Sequence, residues 1–143
     1  VPVVGFAGDG AFGIAVTELT AIGREEWPAV TMIVFRNYQW GAEKRNSTLW
    51  YEDNFIGTEL DDKVSYAGIA QACGLQGVQA RTMDELTAGL HTAVEDQMKH
   101  GKTTLIEAMI NQELGEPFRR DAMKTPVAVA GISADDMRLQ TVE

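Results

Sequence analysis

The apolar residues of this chain form short continuous runs that are separated by stretches with helical periodicity. Residues 3–7, 30–35 and 103–110 are almost uninterrupted runs of apolar and β-branched residues. Runs of this length and composition are typical of strands that are buried on both faces of a sheet. Residues 78–81 form a shorter run of the same kind. The pattern therefore predicts four strands.

Between these runs, apolar residues recur every three or four positions, as they do on the buried face of a helix. In the predicted helix 11–24 this face consists of Phe12, Val16, Leu19 and either Ile22 or Gly23. In the predicted helix 82–101 it consists of Leu86, Leu90, Val94 and Met98. The two stripes predict that both helices pack against the sheet.

Capping residues delimit two of the predicted helices. Ser65 is a favoured N-cap residue for a short helix over residues 65–74, with Gly74 in the left-handed position that follows it. Thr82 and Glu85 match the capping box, in which a hydroxyl and a carboxylate accept from the free amides of the first turn. Gly101 ends this later helix.

The alternation of strands and helices predicts an α/β fold with a mainly parallel sheet flanked by helices. Residues 38–62 lack periodicity, and an irregular segment of that length is often functional or part of an interface. We expect one domain over residues 1–111, followed by a tail over residues 112–143 that packs on the domain or on a partner. The chain opens on a strand without an initiator methionine, so we expect it to be part of a longer protein whose upstream portion is missing.

Composition excludes several functional classes. The 143 residues carry a net charge of −9 and contain no run of lysine or arginine, so a nucleic-acid-binding surface is not expected. No apolar stretch reaches the roughly 18 residues of a membrane span. Cys73 is the only cysteine, which excludes a disulfide framework and fits a reducing cytoplasm.

A glycine-rich loop between the first strand and the first helix is the strongest motif. Gly8, Gly10 and Gly13 have the G-x-G-x-x-G spacing of a dinucleotide-binding loop. Asp9, between the first two glycines, would repel a pyrophosphate unless a cation is also bound. Mg²⁺ prefers hard oxygen ligands and commonly bridges one or two protein groups to phosphates. A second candidate ligand is Asn37, because the carboxyl ends of neighbouring parallel strands meet at one edge of a sheet.

Two simpler interpretations stay open on spacing alone. Asp9 could be a helix cap while Asn37 only terminates a strand, or the loop could bind a dinucleotide such as NAD without a metal. The dinucleotide alternative expects an acidic residue at the end of the second strand, where the chain has Arg36 and Asn37.

Gly8-Asp9-Gly10, followed 28 positions after Asp9 by Asn37, resembles the thiamine-diphosphate-binding motif. That motif has two asparagines at its end, and Arg36 replaces the first. The resemblance implies that Asp9, the Asn37 side chain and the main-chain oxygen of Gln39 bind Mg²⁺. It further implies that amides around Gly10, Ala11 and Phe12 face the diphosphate. The cofactor-binding residues that it implies are Gly8, Asp9, Gly10, Ala11, Phe12, Asn37, Gln39, Trp40 and Gly41.

Longer stretches narrow the resemblance. Residues 37–41 and 50–53 are similar to the acetohydroxyacid synthase branch of these enzymes. The stretches FAGDGAFGIAVTELTAIGREEWPAV, FRNYQWGAEKRNSTLW and NQELGEPFRRDAMKTPVAVAGI resemble the family of sulfoacetaldehyde acetyltransferases. The activity this implies converts sulfoacetaldehyde and phosphate into acetyl phosphate and sulfite. An acetolactate-synthase-like enzyme acting on pyruvate, and a non-catalytic subunit of a split enzyme, stay open as alternatives.

The resemblance also implies what this chain lacks. The glutamate that activates the aminopyrimidine of the cofactor belongs to another domain, contributed by a second subunit, so no catalytic residue is assigned here. We expect a homodimer or homotetramer, and no turnover by this chain alone. Both implied substrates are anions, and the candidate basic residues are Arg36, Lys44 with Arg45, and Arg119 with Arg120. The planar guanidinium groups of Arg119 and Arg120 suit phosphate or sulfonate, although pairing with surface carboxylates is the simpler interpretation.

Overall fold

The computed structural model describes residues 1–24 and 26–113, which are organised around one parallel sheet. Its strands are β1 (Val4–Gly8), β2 (Thr31–Arg36), β3 (Gln76–Ala80) and β4 (Thr104–Met109). They lie in the order β1-β2-β4-β3, and each neighbouring pair is parallel. The predicted α/β class with a mainly parallel sheet is therefore confirmed.

Apolar side chains cover both faces of the sheet, as the continuous apolar runs require. On one face, Val34 and Leu105 pack with Leu19 and Tyr66. On the opposite face, Ile33 and Ile106 are paired in register and form the centre of a second core cluster. The sheet is thus the middle layer of a three-layer domain.

Two capped helices cover these faces. Helix α4 (Tyr66–Ala72) begins after Ser65, whose side chain accepts from the amide of Gly68, and Gly74 follows it with φ of 82°. Helix α5 (Met83–His100) begins after Thr82 and is followed by the left-handed Gly101. The predicted caps are therefore confirmed. One detail differs, because the Glu85 carboxylate accepts from the amide of Arg81, one residue before the N-cap.

The predicted continuous helix over residues 11–24 is wrong. The structure has helix α1 (Asp9–Ile14), a 3-10 turn (Val16–Glu18) and helix α2 (Leu19–Ile22). Ala15 interrupts the helical conformation with φ of −108° and ψ of 16°. The predicted stripe is nevertheless in place, since Leu19 is buried and Phe12 and Val16 pack beside it. Apolar spacing therefore identified the inward face but not the break.

The predicted buried stripe of α5 is partly wrong. Leu86 and Leu90 pack against the core, whereas Met98 is 53% exposed. Ala93 and Gln97 are buried instead, because they continue the face of Leu86 and Leu90 at helical spacing. Gln97 is polar, so a search for apolar residues missed it.

The segment that was predicted to be irregular contains a helix. Helix α3 (Gly41–Trp50) occupies its first half. The sequence of this helix is polar on nearly all sides and gives no apolar periodicity, although alanine, glutamate, lysine and arginine are good helix formers. Residues 114–143, which include most of the predicted tail, lie outside the described residues.

Candidate metal and cofactor site

The residues predicted to bind the cofactor meet at the carboxyl ends of β1 and β2. A cavity of about 310 Å³ lies there, between the start of α1 and the start of α3. The predicted residues in its lining are Gly8, Asp9, Gly10, Ala11, Asn37, Gln39, Trp40 and Gly41. Phe12 is the exception, because its ring packs edge-on against Tyr66 with ring centroids 5.4 Å apart.

Asp9 is only 1% exposed and is held in one orientation. Its Oδ2 accepts a 2.7 Å hydrogen bond from the amide of Tyr38, and its Oδ1 accepts a 3.0 Å bond from the amide of Gly10. Asp9 is not the N-cap of α1, because Gly8 is the N-cap and Asp9 is the first residue of that helix. The carboxylate therefore links the glycine loop to the loop after β2.

Three polar atoms lie close together in this cavity: Asp9 Oδ1, a terminal atom of the Asn37 amide and the main-chain oxygen of Gln39. One terminal atom of the Asn37 amide lies 3.1 Å from Asp9 Oδ1 and 3.1 Å from the main-chain oxygen of Gln39. The Asn37 amide has two possible orientations. If its nitrogen occupies this position, it donates a hydrogen bond to Asp9 Oδ1 and to the Gln39 carbonyl oxygen. If its oxygen occupies the position, the oxygens of Asn37, Asp9 and Gln39 lie together, as metal ligands do. Neighbouring ligands of an octahedral magnesium ion lie about 3.0 Å apart when metal–oxygen distances are near 2.1 Å. The spacing of these groups therefore fits Mg²⁺.

The loop that carries Asn37 and Gln39 has a strained turn and two backbone anchors. Tyr38, between them, has φ of 60°, a left-handed conformation that costs a residue with a side chain about 1–2 kcal/mol. The carbonyl of Tyr38 accepts from the amide of Leu60 at 2.8 Å, and the amide of Trp40 donates to Thr58 at 2.7 Å. These bonds fix the direction of the Gln39 carbonyl.

The Gln39 side chain fixes the same loop from the other side. It is 2% exposed, and its Nε2 donates to the carbonyl oxygen of Gln112 at 2.9 Å. Its Oε1 accepts from Lys44, which also pairs with Glu59. Lys44, a candidate for binding an anionic substrate, is therefore engaged in holding the loop.

Arg36 is buried behind Asp9, and sequence reasoning did not find this role. The side chain is 1% exposed, and its Nη1 lies 3.4 Å from Asp9 Oδ2. On its other side, its Nε lies 3.3 Å from Oε1 of Glu107, which is completely buried. Arg36, one of the candidate basic residues for an anionic substrate, is therefore engaged with two buried carboxylates and is not among the residues that line the cavity. No sequence signal for the Glu107 pairing exists beyond an acidic residue inside an apolar strand.

Two of the loop glycines are needed for side-chain packing. A Cβ at Gly10 would lie 3.0 Å from the Trp40 ring, and one at Gly13 would lie 2.8 Å from the Tyr66 hydroxyl oxygen. A Cβ at Gly8 would meet no atom of the described residues within 4 Å, and Gly8 borders the cavity. Of the three glycines, Gly8 is thus the one whose missing side chain leaves space for a ligand.

The part of the chain that the structure describes contains neither a metal site built from several His, Cys, Asp or Glu side chains nor a membrane-spanning helix. No group of three or more His, Cys, Asp or Glu side chains there could hold a metal ion. The candidate metal site is different in kind, since it combines one carboxylate with amide and main-chain oxygens. Within residues 1–24 and 26–113, no helix has the length and hydropathy needed to cross a membrane. Arg119 and Arg120 lie outside the described residues.

Comparison with known families agrees with the chemistry of this site. The family described as "Thiamine pyrophosphate enzyme, C-terminal TPP binding domain" matches residues 1–108. Among solved structures, benzoylformate decarboxylase from Polynucleobacter necessarius superposes with a TM-score of 0.69 and 28% sequence identity. The match covers 82% of this chain and 21% of that one.

Curated relatives give a narrower similarity. The chain is 80% identical over 142 residues to sulfoacetaldehyde acetyltransferase from Roseovarius nubinhibens, which covers 99% of this chain and 23% of the relative. It is 67% identical over 140 residues to a probable sulfoacetaldehyde acetyltransferase from Rhizobium meliloti, covering 98% of this chain and 24% of the relative. The chain therefore spans about a quarter of the length of the curated relatives that it matches.

Proposed function

This chain belongs to the thiamine pyrophosphate enzymes, whose C-terminal cofactor-binding domain matches residues 1–108, and we propose that it supplies the diphosphate and Mg²⁺ site of a sulfoacetaldehyde acetyltransferase. The observation that carries the proposal is the meeting of Asp9, Asn37 and Gln39 at one cavity, with 3.1 Å between neighbouring polar atoms. The high identity to two sulfoacetaldehyde acetyltransferases supports the substrate.

In this proposal Mg²⁺ is held by Asp9 Oδ1, the Asn37 amide oxygen and the Gln39 carbonyl oxygen. Asp9 Oδ2 accepts two hydrogen bonds, from Tyr38 and Arg36, whereas Oδ1 accepts one from the Gly10 amide. Oδ1 is therefore the oxygen that keeps a lone pair for a metal. The ligand set contributes a single negative charge, so the diphosphate supplies the rest of the charge that a dication attracts.

The diphosphate lies at the start of α1 in this proposal. An α-helix that begins at Asp9 leaves the amides of its first residues without intrahelical partners. Since the Gly10 amide donates to Asp9 Oδ1, the amide of Ala11 is the nearest remaining donor. The open side of Gly8 leaves room for phosphate oxygens to approach the backbone. The predicted contribution of the Phe12 amide stays a prediction.

The proposed reaction takes sulfoacetaldehyde and hydrogen phosphate to acetyl phosphate and hydrogen sulfite. The carbon–sulfur bond breaks, and its electron pair leaves with sulfite. The aldehyde carbon loses its hydrogen as a proton, and the methylene carbon gains a proton to become the methyl group. A carbon–oxygen bond to phosphate forms at the former aldehyde carbon, and the proton of hydrogen phosphate is balanced by the one on hydrogen sulfite. Thiamine diphosphate, when bound, supplies the carbon nucleophile and the electron sink for this exchange. This chain's residues hold the cofactor and its metal, while the activating glutamate is expected in another domain from a second subunit. We therefore expect no turnover by this chain alone.

We further propose that Arg119 and Arg120 bind phosphate or the sulfonate. Gln112 accepts from Gln39, so the described chain ends beside the metal loop, a short distance in sequence before these arginines. Replacing both with glutamine should raise the KM for phosphate while the affinity for the cofactor is retained. An unchanged phosphate KM would remove this assignment.

The test of the function uses the full-length protein with thiamine diphosphate and Mg²⁺ in phosphate buffer. Sulfoacetaldehyde and pyruvate are supplied separately, and sulfite and acetyl phosphate are measured. We expect sulfite release that requires Mg²⁺ and is lost in Asp9→Asn but not in the exposed control Asp62→Asn. Consumption of pyruvate alone would instead favour an acetolactate-synthase-like enzyme, and reaction with neither would contradict the proposal.

A further inference from the structure

A buried row of charged side chains lies behind the proposed metal site. Asp9, Arg36 and Glu107 form a buried row in which each side chain is at most 1% exposed. The guanidinium lies between the two carboxylates, 3.4 Å from Asp9 Oδ2 and 3.3 Å from Glu107 Oε1. Buried charges interact more strongly than exposed ones because water screens them less.

Asp9 does not depend on Arg36 for its orientation. The amides of Tyr38 and Gly10 hold its two oxygens at 2.7 Å and 3.0 Å. The Arg36 contact is the longest of the three, at 3.4 Å. The main effect of Arg36 on Asp9 is therefore its positive charge.

The guanidinium is fixed in place by contacts on its edges and faces. Its Nη2 donates to the carbonyl oxygens of Asp61 at 2.6 Å and Val64 at 2.9 Å. The rings of Tyr38 and Tyr66 lie 4.4 Å and 5.0 Å from its central carbon. The positive charge consequently stays beside Asp9.

Glu107 is fixed with one oxygen directed at Arg36. Its Oε2 accepts from the Ser65 hydroxyl at 3.0 Å, the Gln79 amide group at 3.1 Å and the Ala67 main-chain amide at 3.2 Å. Its Oε1 has the Arg36 guanidinium as its near polar neighbour. Without Glu107, Arg36 would cancel the charge of Asp9, whereas with it the row keeps one net negative charge.

We propose that Glu107 is a positioning residue of the metal site, which acts through Arg36 to keep the negative charge of Asp9 available to a divalent cation. This inference rests on the proposed function, because it assumes that Asp9 binds the cation. Glu107 itself is not among the residues that line the cavity.

The test measures Mn²⁺ binding to the full-length protein at saturating thiamine diphosphate, from the electron paramagnetic resonance signal of free Mn²⁺. Glu107→Gln removes the compensating charge, and we expect the dissociation constant to rise about tenfold or more. Arg36→Gln combined with Glu107→Gln restores one net negative charge, and we expect affinity within about threefold of the wild type. Glu107→Asp shortens the side chain but keeps its charge, and it should also stay close to the wild type.

Circular dichroism verifies that each variant is folded. If Glu107→Gln does not fold, the double variant decides: affinity near the wild-type value supports the inference, and a tenfold loss overturns it. An unchanged affinity in folded Glu107→Gln, or a double variant as weak as Glu107→Gln, also overturns it. Failure of the proposed function is distinguishable, because then Asp9→Asn would bind Mn²⁺ as well as the wild type does.

Discussion

The hydroxyl of Tyr66 donates a 3.0 Å hydrogen bond to the main-chain carbonyl oxygen of Asp9, 57 residues earlier in the chain. This bond joins the first turn of α4 to the first residue of α1, which is the proposed metal ligand Asp9. Burial raises the pKa of Tyr66 above its ordinary value of 10.0, although the nearby Arg36 guanidinium opposes that shift. The phenol is therefore held in its neutral form as a donor.

Tyr66→Phe should lower the free energy of unfolding by about 1 kcal/mol at pH 8, the usual contribution of one hydrogen bond. Because the folded pKa of Tyr66 is raised, its hydroxyl contributes stability that is fully present below pH 10 and lost as pH rises through the folded pKa. The difference between the wild type and Tyr66→Phe should therefore narrow above pH 10. Urea unfolding of both proteins at pH 8, 9, 10 and 10.5 measures this difference in the free energy of unfolding.

Tyr51→Phe is the matched control, because Tyr51 is 67% exposed. It should follow the wild type at every pH. A constant difference between the wild type and Tyr66→Phe across the series would contradict the raised pKa.

Alanine substitutions at two loop glycines should have different effects, one on stability and the other on cofactor binding. Gly13→Ala places a Cβ 2.8 Å from the Tyr66 hydroxyl oxygen, so it should destabilise the protein by about 1 kcal/mol even after the helical preference of alanine is counted. Gly8→Ala meets no described atom within 4 Å and has φ of −76°, which alanine adopts freely. It should keep the wild-type melting temperature.

The same Gly8→Ala variant should bind thiamine diphosphate at least tenfold more weakly, because Gly8 lines the cavity and the proposal brings phosphate oxygens close to its backbone. Thermal melts with and without the cofactor and Mg²⁺ measure both effects. Wild-type cofactor affinity in Gly8→Ala would place the diphosphate elsewhere.

Much of the fold could be predicted, because apolar runs and capping residues are patterns within short stretches of sequence. The strands β2 and β4 are largely apolar runs, interrupted by Arg36 at the end of β2 and by Glu107 inside β4. Ser65, Thr82 and Gly101 have the capping roles that their residue types favour. Helix α3 could not be predicted from periodicity, since its sequence is polar on nearly all sides. Apolar residues at helical spacing reveal a helix that packs on the core, and a polar helix has no such pattern.

The candidate site was predictable where topology alone brings residues together. Asp9 and Asn37 follow neighbouring parallel strands, so they meet at one edge of the sheet. The buried row behind them was not predictable, because nothing in the sequence shows that Arg36, at the end of β2, and Glu107, inside β4, face the same side of the sheet. An arginine at a strand end is usually solvated, and only three-dimensional packing shows that this one is not.

Gln97 supports the start of the sheet through bonds that no apolar residue could replace. Its Nε2 donates to the carbonyl oxygens of Ala29 at 2.7 Å and Val3 at 3.2 Å, and its Oε1 accepts from Thr31. Gln97→Leu removes all three bonds; the Val3 carbonyl keeps the Thr31 amide as a donor, but the buried Thr31 hydroxyl and the Ala29 carbonyl lose this partner. The free energy of unfolding should fall by about 2–3 kcal/mol. Met98→Ala, on the exposed side of α5, should change it by less than about 1 kcal/mol. Urea denaturation measures the free energy of unfolding of both variants. Equal losses would contradict the assignment of Gln97, rather than Met98, to the buried face of α5.

Asn37→Asp should make stability depend on divalent cations. The substitution places a second carboxylate oxygen 3.1 Å from Asp9 Oδ1 and removes the amide that can donate to it. In chelator, the lost hydrogen bond and the repulsion should lower the free energy of unfolding by about 2 kcal/mol. Added Mg²⁺ should recover most of this loss, because a cation between the carboxylates turns repulsion into coordination. Thermal or urea unfolding with EDTA and then with excess Mg²⁺ measures both effects.

Asn54→Asp adds the same charge at an exposed position and separates the local effect from the change in net charge. It should respond to chelator and Mg²⁺ as the wild type does, since its carboxylate has water around it. If Asn37→Asp were as stable as the wild type in EDTA, the two oxygens could not be as close as 3.1 Å. If its deficit persisted in Mg²⁺, Asp9 and residue 37 could not share a cation, and the magnesium assignment would fail while the packing around Asp9 stayed valid.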